Sequence, residues 1–523
     1  MEGRGILKSK LFLYITEFFS GMSVMAVELG ASRLMAPYFS SSQIVWTVII
    51  GVIMIAMALG NIWGGRLADK KPDPSALYGR MLLAAVWIAL IPFLGRYLIA
   101  GISLLLAVFV TKNFLVWAAL AACLVIFAFP CVLLGTVTPS LVKYTTDSLE
   151  HNGRTVGYLG ALNTIGSIIG TFLPTFVTIP AVGTAATFII FATILALISI
   201  VYFAFARKKT AICIVTVLGL IALGFVSPLC SFAFWEKDIS LEDESIYNYI
   251  QVREDDESVI LSTNVLFGVQ SIKMKNAELT GMYYDYALAA PVMAGAGEGS
   301  EILILGLGSG TFAGLCDKYF PGCHVEGVEI DRKIADLACE RFDMPETVDV
   351  AVYDGRAYLD DSDKLYDVIM VDAYQDITIP FQLSSVEFFT LVREHLAPGG
   401  VMVVNMNMQS SAEGSINDYL CDTISSVFDY VSTVPVQGGT NCELFATADS
   451  EHIERLHENM SKSGYAALSS MMGRVSSGLE AYEGGDRILT DDKAPVELLG
   501  MKVLDELIGQ ELEYYRGLYL GKK

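Results

Sequence analysis

Nothing in this 523-residue chain groups cysteines for a metal or a disulfide framework. The nine cysteines are scattered, at spacings that match neither a zinc site nor a set of bridges, so no metal is expected. Five lie in the C-terminal half, Cys316, Cys323, Cys339, Cys421 and Cys442, in stretches of helix or strand character. Small buried thiols in a reducing compartment account for them most simply. Charge is also scarce, at 18% of residues against 53% hydrophobic, and the mean hydropathy is +0.50. That excludes an ordinary soluble protein, and the length implies more than one domain. A cleavable signal peptide is not expected, because the first apolar stretch is too long and leads into further spans.

The charge that is present splits the chain. Residues 1–235 hold 15 Lys+Arg and 7 Asp+Glu, a net of +8, and the total of −22 leaves −30 for residues 236–523. A mildly basic apolar half suits anionic lipid and the positive-inside bias. The acidic half argues against nucleic acid, whose phosphates it would repel. It suits a cationic partner, although a solubilising surface gives the same balance.

A membrane span needs roughly 20 apolar residues. Candidates run over 11–31, 43–64, 115–141, 156–180, 183–206 and 211–231, and 81–111 is apolar apart from Arg96. That last stretch is one long tilted span or two short ones broken at Gly95-Arg96, so an α-helical transmembrane bundle of seven or eight spans is expected. Basic residues cluster at Arg4/Lys8/Lys10, Arg66/Lys70/Lys71, Lys143/Arg154 and Arg207-Lys208-Lys209. Seven spans place all four clusters on one side. The stretch from Gly60 to Lys71 resembles the loop between spans two and three of major facilitator transporters, where an Asp beside basic residues can lock a turn. Gly157, Gly160, Gly166 and Gly170 form a candidate helix-packing face. Glu17, Glu28 and Arg33 are charges in or near the first span, where charge is costly and often functional.

The second half reads as α/β. Tyr247–Val252 and Leu266–Ile272 alternate as short strands do. Glu301–Leu305 is a buried-strand run, followed by Gly306-Leu307-Gly308-Ser309-Gly310-Thr311 and a helix through about Lys318. Strand, glycine turn and helix make a nucleotide-binding opening, in which backbone N–H groups meet the ligand. A second strand, His324–Val328, ends at Glu329, placed to accept hydrogen bonds from ribose hydroxyls. A third, about Val348–Val352, leads to Asp354-Gly355. A fourth, Tyr366–Val371, ends at Asp372, and Val401–Asn405 is a fifth. Carboxylates thus recur at the carboxyl ends of strands, where open α/β sheets bind ligands. The glycine turn lacks Gly-x-Gly-x-x-Gly, and Pro398-Gly399-Gly400 precedes strand five. Both favour an S-adenosylmethionine-type Rossmann-like fold over a nicotinamide one.

Residues 240–450 resemble the spermidine synthase (polyamine aminopropyltransferase) family, and Leu489–Glu497 resembles the tail of its membrane-fused relatives. The resemblance implies a multi-span domain over 1–235, a small β-domain over 236–295, a Rossmann-like methyltransferase-type catalytic domain over 296–450 and a helical extension over 451–523. It places Asn248, Gln270, Gly306, Gly308, Ser309, Glu329, Asp354 and Gly355 around the adenosyl donor. It places Tyr283, Tyr284, Asp285, Tyr374 and Asp376 around the amine, with Asp372 as the catalytic base. The donor it implies is decarboxylated S-adenosylmethionine, a co-substrate and not a resident cofactor, with methylthioadenosine as product. The acceptor is a small cationic amine such as putrescine. Membrane lipid is the other expected partner, and a homodimer is compatible with this reading.

The sequence departs from the family at several of these positions. Ser309 stands where the family has an Asp, Tyr284 where it has His, Asn248 where it has Gln, and Gln375 where it has a second Asp, with Asp376 one step on. The adenosine side matches more closely than the amine side. A methyltransferase and a non-catalytic polyamine or nucleotide sensor therefore stand as alternatives. The catalytic half is expected to face the cytoplasm, where such substrates are made. With the basic clusters inside, that placement needs 81–111 to cross twice, or 211–231 to dip in and return at a break near Gly219, Gly224 or Pro228.

Overall fold

The computed structural model describes residues 9–70, 72–145, 152–265, 269–373, 379–407, 413–462 and 464–520. It divides into two units, one of Met1–Lys237, Asp243–Tyr249 and Leu512–Lys523, the other of Asp238–Glu242 and Ile250–Glu511.

The first unit is helical. Among the described residues, five helices are long and apolar enough to cross a membrane, which marks a multi-pass membrane protein. They are α1 (Lys10–Phe39), α2 (Gln43–Lys70), α3 (Pro74–Ala107), α4 (Phe114–Thr145) and a 54-residue stretch, Gly153–Ala206. At 1.5 Å per residue that last stretch would run roughly 80 Å, far beyond a hydrocarbon core of about 30 Å. It is broken at Gly183, whose φ of 79° and ψ of 168° are not helical. It consists of α5 (Asn152–Leu173), a π-turn over Pro174–Thr178 and α6 (Ile179–Ala206), with the Gly183 break one turn into α6. A shorter apolar helix, α7 (Thr210–Val226), follows.

α3 starts on an Asp73 cap, whose side chain accepts from Ser75 N at 3.0 Å with Pro74 behind it. It then runs unbroken through Gly95-Arg96, so 81–111 does not divide into two short spans. The Arg96 charge is carried away from the helix: its guanidinium donates to the Ser231 carbonyl at 2.7 Å and lies 4.9 Å from the centre of the Tyr97 ring. α7 is likewise unbroken past Gly219 and Gly224. Its start lies beside the start of α3, since Lys208 Nζ reaches Ser75 Oγ at 3.3 Å. The chain beyond it meets the other end of the bundle, where Tyr38 at the end of α1 donates to the Phe232 carbonyl at 2.6 Å. α7 therefore carries the chain from one end of the bundle to the other.

Half of the glycine face packs. A Cβ on Gly166 would lie 2.1 Å from the Phe18 carbonyl and one on Gly170 2.0 Å from that of Met22, so α5 meets α1 backbone to backbone. Gly157 and Gly160 face open space. Glu17 is fully buried in α1 and accepts from Thr138 Oγ1 at 2.6 Å and Asn163 Nδ2 at 2.9 Å. Asp69 pairs with Lys143 at 3.0 Å, an exposed lock between the ends of α2 and α4.

A four-stranded sheet follows, with β1 (Ile239–Glu244), β2 (Tyr249–Glu254), β3 (Ser258–Ser262) and β4 (Ser271–Met274) in chain order. Of the expected strand over Leu266–Ile272, residues 266–268 lie outside the described residues. The second unit continues with an eight-stranded sheet of β5 (Glu301–Leu305), β6 (His324–Val328), β7 (Asp349–Ala351), β8 (Tyr366–Val371), β9 (Leu396–Met406), β10 (Tyr430–Pro435), β11 (Cys442–Thr447) and β12 (Glu480–Ala481). Their order is β12-β10-β11-β9-β8-β5-β6-β7. β5 through β9 are parallel, and β11 returns antiparallel to β9. The order reverses between β5 and β8, which makes the crevice at their carboxyl ends the switch point of the sheet.

The α-helices that follow in the chain are α8 (Tyr283–Ala287), α9 (Ala289–Ala294), α10 (Thr311–Tyr319), α11 (Arg332–Arg341), α12 (Gly355–Asp360), α13 (Val386–Glu394), α14 (Ile416–Ser425), α15 (His452–Met460), α16 (Ala466–Gly478) and α17 (Val496–Leu520), the last of which passes out of the second unit after Glu511. Unbroken apolar runs such as Ile302–Leu305 and Val401–Val404 are buried on both faces, as a covered parallel sheet requires. The C-terminal segment is not wholly helical, because β12 extends the sheet beside β10.

Candidate active site

The crevice is built by the turn after β5. Gly306 has φ 93°, and a Cβ there would lie 2.5 Å from the Asp372 carbonyl, so only glycine lets the ends of β5 and β8 meet this closely. Gly306 N and Leu307 N both donate to the Val328 carbonyl, at 2.9 and 3.0 Å, which brings the end of β6 alongside. Glu329 follows directly. Its two oxygens accept from Gly308 N at 2.9 Å and Asp331 N at 3.0 Å. Burial pushes this carboxyl up to about 7 against those backbone donors, and the neighbouring Asp331 charge adds to the rise. Asp354 caps α12 by accepting from Ala357 N at 2.9 Å, with Gly355 as the first helical residue. Arg356, next in line, forks onto Asp491 with both contacts at 2.7 Å, so the Leu489–Glu497 tail braces the start of α12.

Asp372 sits at the end of β8, partly buried, with both oxygens engaged. Tyr283 donates its phenol hydrogen to Oδ2 at 2.7 Å, and Asn405 on β9 donates Nδ2–H to Oδ1 at 2.8 Å. Asn405 Oδ1 in turn accepts from Asn441 at 2.8 Å. Desolvation pushes Asp372 up to about 7, opposed by Asn405 and Tyr283 and aided by the charge of Glu329. Tyr283 is pushed well above the usual phenol range, first by burial and then by Asp372. One strand beyond Asn405, Glu443 on β11 is fully buried.

The other residues singled out from the sequence divide into groups. Tyr284 packs against Tyr283 with ring centres 4.0 Å apart and planes tilted by 32°, and its hydroxyl donates to the Gln270 carbonyl at 2.8 Å. Ser271 next to it accepts from Ser309 N at 3.2 Å, so Gln270, Tyr284 and Ser309 are brought together at the glycine turn. Ser309 is buried, its hydroxyl 3.1 Å from that of Thr311. Asp285 turns away from this cluster. It is spent on its own loop, accepting from Thr280 N and Oγ1 and from Gly281 N at 2.7–2.9 Å. Asn248 lies in the β1–β2 turn, which belongs to the first unit, and its N–H donates to Ser245 Oγ at 2.8 Å. Tyr374 and Asp376 lie outside the described residues. Asn405, Asn441 and Glu443 were not singled out from the sequence, because isolated polar residues on apolar strands carry no spacing signal.

Residues 282–449 match the spermine/spermidine synthase domain. The chain is 50% identical over 334 residues to the probable polyamine aminopropyl transferase of Bifidobacterium longum, covering 61% of this chain and 74% of that one. It belongs to the polyamine aminopropyltransferase family. A second member, the polyamine aminopropyltransferase of Vibrio vulnificus, is 26% identical over 293 residues, 52% of this chain and 94% of its own. The crystal structure of a probable spermidine synthase from Corynebacterium glutamicum aligns with 48% of this chain and 99% of its own, at 21% identity and a TM-score of 0.36. The family domain contains Glu329, Asp354 and Asp372, together with Asn405 and Glu443.

Proposed function

We propose that the protein is a membrane-anchored aminopropyltransferase that moves the aminopropyl group of decarboxylated S-adenosylmethionine to an amine such as putrescine. The observation that carries this is Asp372, a carboxylate held by Tyr283 and Asn405 at the switch point of the sheet, beside the glycine turn. An attacking amine is an ammonium ion at neutral pH and must first lose a proton. Asp372, pushed up to about 7, attracts the cation and takes that proton. The freed lone pair forms a bond to the aminopropyl carbon, the carbon–sulfur bond breaks, and its electron pair neutralises the sulfonium to give methylthioadenosine. Glu329 and Asp354 are assigned to the ribose hydroxyls and the adenine edge, with Gly306, Gly308 and Ser309 along the adenosyl group. The tilted rings of Tyr283 and Tyr284 are assigned to wall the cation.

Purified full-length protein incubated with both sulfonium donors and a panel of amines tests this by product mass. Methylthioadenosine and an amine heavier by one aminopropyl group support it. S-adenosylhomocysteine with a methylated product replaces it with methyl transfer, and binding without turnover replaces it with a sensor.

Seven crossings are proposed for the anchor, α1 through α7. Support comes from the Gly183 break, which turns one 54-residue stretch into two spans, and from α7 joining opposite ends of the bundle. With the basic clusters inside, an odd count puts the catalytic unit on the far side of the membrane. The cytoplasmic placement favoured by substrate supply needs an even count.

A further inference from the structure

Glu443 has no role in the chemistry above, yet its place in the sheet is unusual. The residue is fully buried, and neither carboxyl oxygen has a hydrogen-bond partner among the described residues. Leaving both oxygens of a carboxyl unmet in the interior is costly. Glu443 stands directly opposite Asn405 in the antiparallel β9–β11 pair, and opposed residues project from the same face of a sheet. The side chain of Asn405 reaches Asp372, so that face is the one on which the catalytic carboxylate sits. Burial, and then the charge of Asp372, hold Glu443 well above the usual carboxylate range. Two carboxyls thus lie on one face of the sheet, and Asn405 between them is already occupied with Asp372 and Asn441.

Strand order decides which end of the reaction Glu443 serves. From β11 the sequence across the sheet is β9, β8, β5, β6. Glu329 follows β6 and the glycine turn follows β5, so the adenosyl group belongs on that side of Asp372. Glu443 lies on the other side, two strands from Asp372, a backbone separation of roughly 10 Å. The acceptor amine must approach Asp372 from the side that the donor leaves free.

We propose that Glu443 is a specificity-determining residue that binds the second, non-reacting ammonium of a diamine acceptor, while Asp372 takes the first. This rests on the aminopropyltransferase reading. The incoming cation supplies the partner that both Glu443 oxygens lack. A short aliphatic diamine spans two carboxyl groups converging from strands two apart. The pairing selects diamines over monoamines of equal chain length, because a monoamine leaves Glu443 unmet.

The test uses full-length enzyme in detergent with putrescine and butylamine as acceptors and methylthioadenosine release as the readout. Glu443→Gln should raise the KM for putrescine roughly ten- to hundredfold, the cost of losing a charged partner in a buried site. It should lower the putrescine-over-butylamine preference in kcat/KM by a similar factor, and leave the donor KM and methylthioadenosine affinity within about twofold. Glu443→Asp should restore part of the preference. An unchanged putrescine KM, or a rise confined to the donor KM, overturns the assignment. A wild-type enzyme that releases no methylthioadenosine with any amine refutes the underlying reading instead. Glu443 is then judged by calorimetric titration of putrescine alone, and equal affinity for wild type and Glu443→Gln overturns it. Should Glu443→Gln not fold, as judged by lost methylthioadenosine binding, the same comparisons are made with Glu443→Asp, where an unchanged putrescine KM and preference overturn the proposal.

Discussion

Tyr283 donates to one oxygen of Asp372 at 2.7 Å while Asn405 donates to the other at 2.8 Å. The carboxylate is thereby fixed from both sides, and each oxygen keeps lone-pair capacity for an incoming ammonium. Tyr283, raised well above its ordinary range, stays protonated and acts as a donor at every working pH. On the proposed reading the base is therefore Asp372 alone. Asp372→Asn preserves shape and removes basicity. It should lower kcat by roughly 10²-fold or more, with calorimetric affinity for methylthioadenosine kept. Near-normal turnover would remove Asp372 from the proton transfer.

The elevated Asp372 also fixes the sign of the pH dependence. Burial pushes it up to about 7, and the proposed mechanism needs the ionised form. kcat/KM for the amine should fall as pH drops through that region. Tyr283→Phe takes away a hydrogen bond that favours the carboxylate, so the acid limb should move to higher pH. A profile recorded on both proteins checks this. An acid limb that stays in place in the variant would mean that another group sets it.

Glu329 makes a separable prediction. It ties Gly308 N and Asp331 N together at the mouth of the crevice, and the proposed reading gives it the ribose. Losing a charged hydrogen-bond partner costs about 1.5–3 kcal/mol. Glu329→Ala should therefore weaken methylthioadenosine binding roughly ten- to hundredfold by calorimetry. Because the residue also organises the turn, the melting temperature should be followed alongside. Lower affinity accompanied by global unfolding would not count in favour.

Much of the nucleotide-binding framework was legible in the sequence. Buried parallel strands are continuous apolar runs, so Glu301–Leu305, His324–Val328 and Tyr366–Val371 read directly, as did the carboxylates that follow two of them. Glu443 did not. In Cys-Glu-Leu-Phe-Ala-Thr a single Glu reads as a solvent-facing position, and only the assembled sheet shows that β11 is covered on both faces. Asn405 reads as the end of an apolar strand, while its bond to Asp372 depends on a neighbour 33 residues away. Gly95-Arg96 leaves one long span or two short ones open in the sequence, because an arginine inside a span is costly. The structure keeps the helix and carries the guanidinium out to Ser231. Asp285 resembled a substrate contact by motif, but its local loop consumes it. Two-residue β12 was too short to leave a pattern.

Bundle packing gives a prediction independent of catalysis. Gly170→Val places a Cβ 2.0 Å from the Met22 carbonyl, which forces α5 off α1. Overpacking of this kind costs about 1–3 kcal/mol or more, so the detergent-solubilised protein should melt lower and lose monodispersity. Gly157→Ala, in open space by the same measure, should change stability by less than about 0.5 kcal/mol. Equal behaviour of the two variants would contradict the backbone contact between these helices.

The side of the membrane on which the catalytic unit lies follows from the number of crossings. α3 runs unbroken through Gly95-Arg96 and α7 through Gly219 and Gly224, while α7 ends at Val226, just before Pro228, where the chain has already reached the far end of the bundle. The proposed seven crossings, with the basic clusters inside, would put the catalytic unit outside. Cys339 is exposed on α11, so the wild-type chain carries its own reporter. Intact cells treated briefly with a membrane-impermeant maleimide should give a Cys339 peptide labelled as fully as in lysed cells, as read by mass spectrometry. Labelling that appears only after lysis would place the unit in the cytoplasm and require an even count, with one apolar segment failing to cross. Labelling in intact cells would carry a functional consequence. A sulfonium donor made inside the cell must then reach an active site beyond the membrane, and the bundle becomes the nearest route for it.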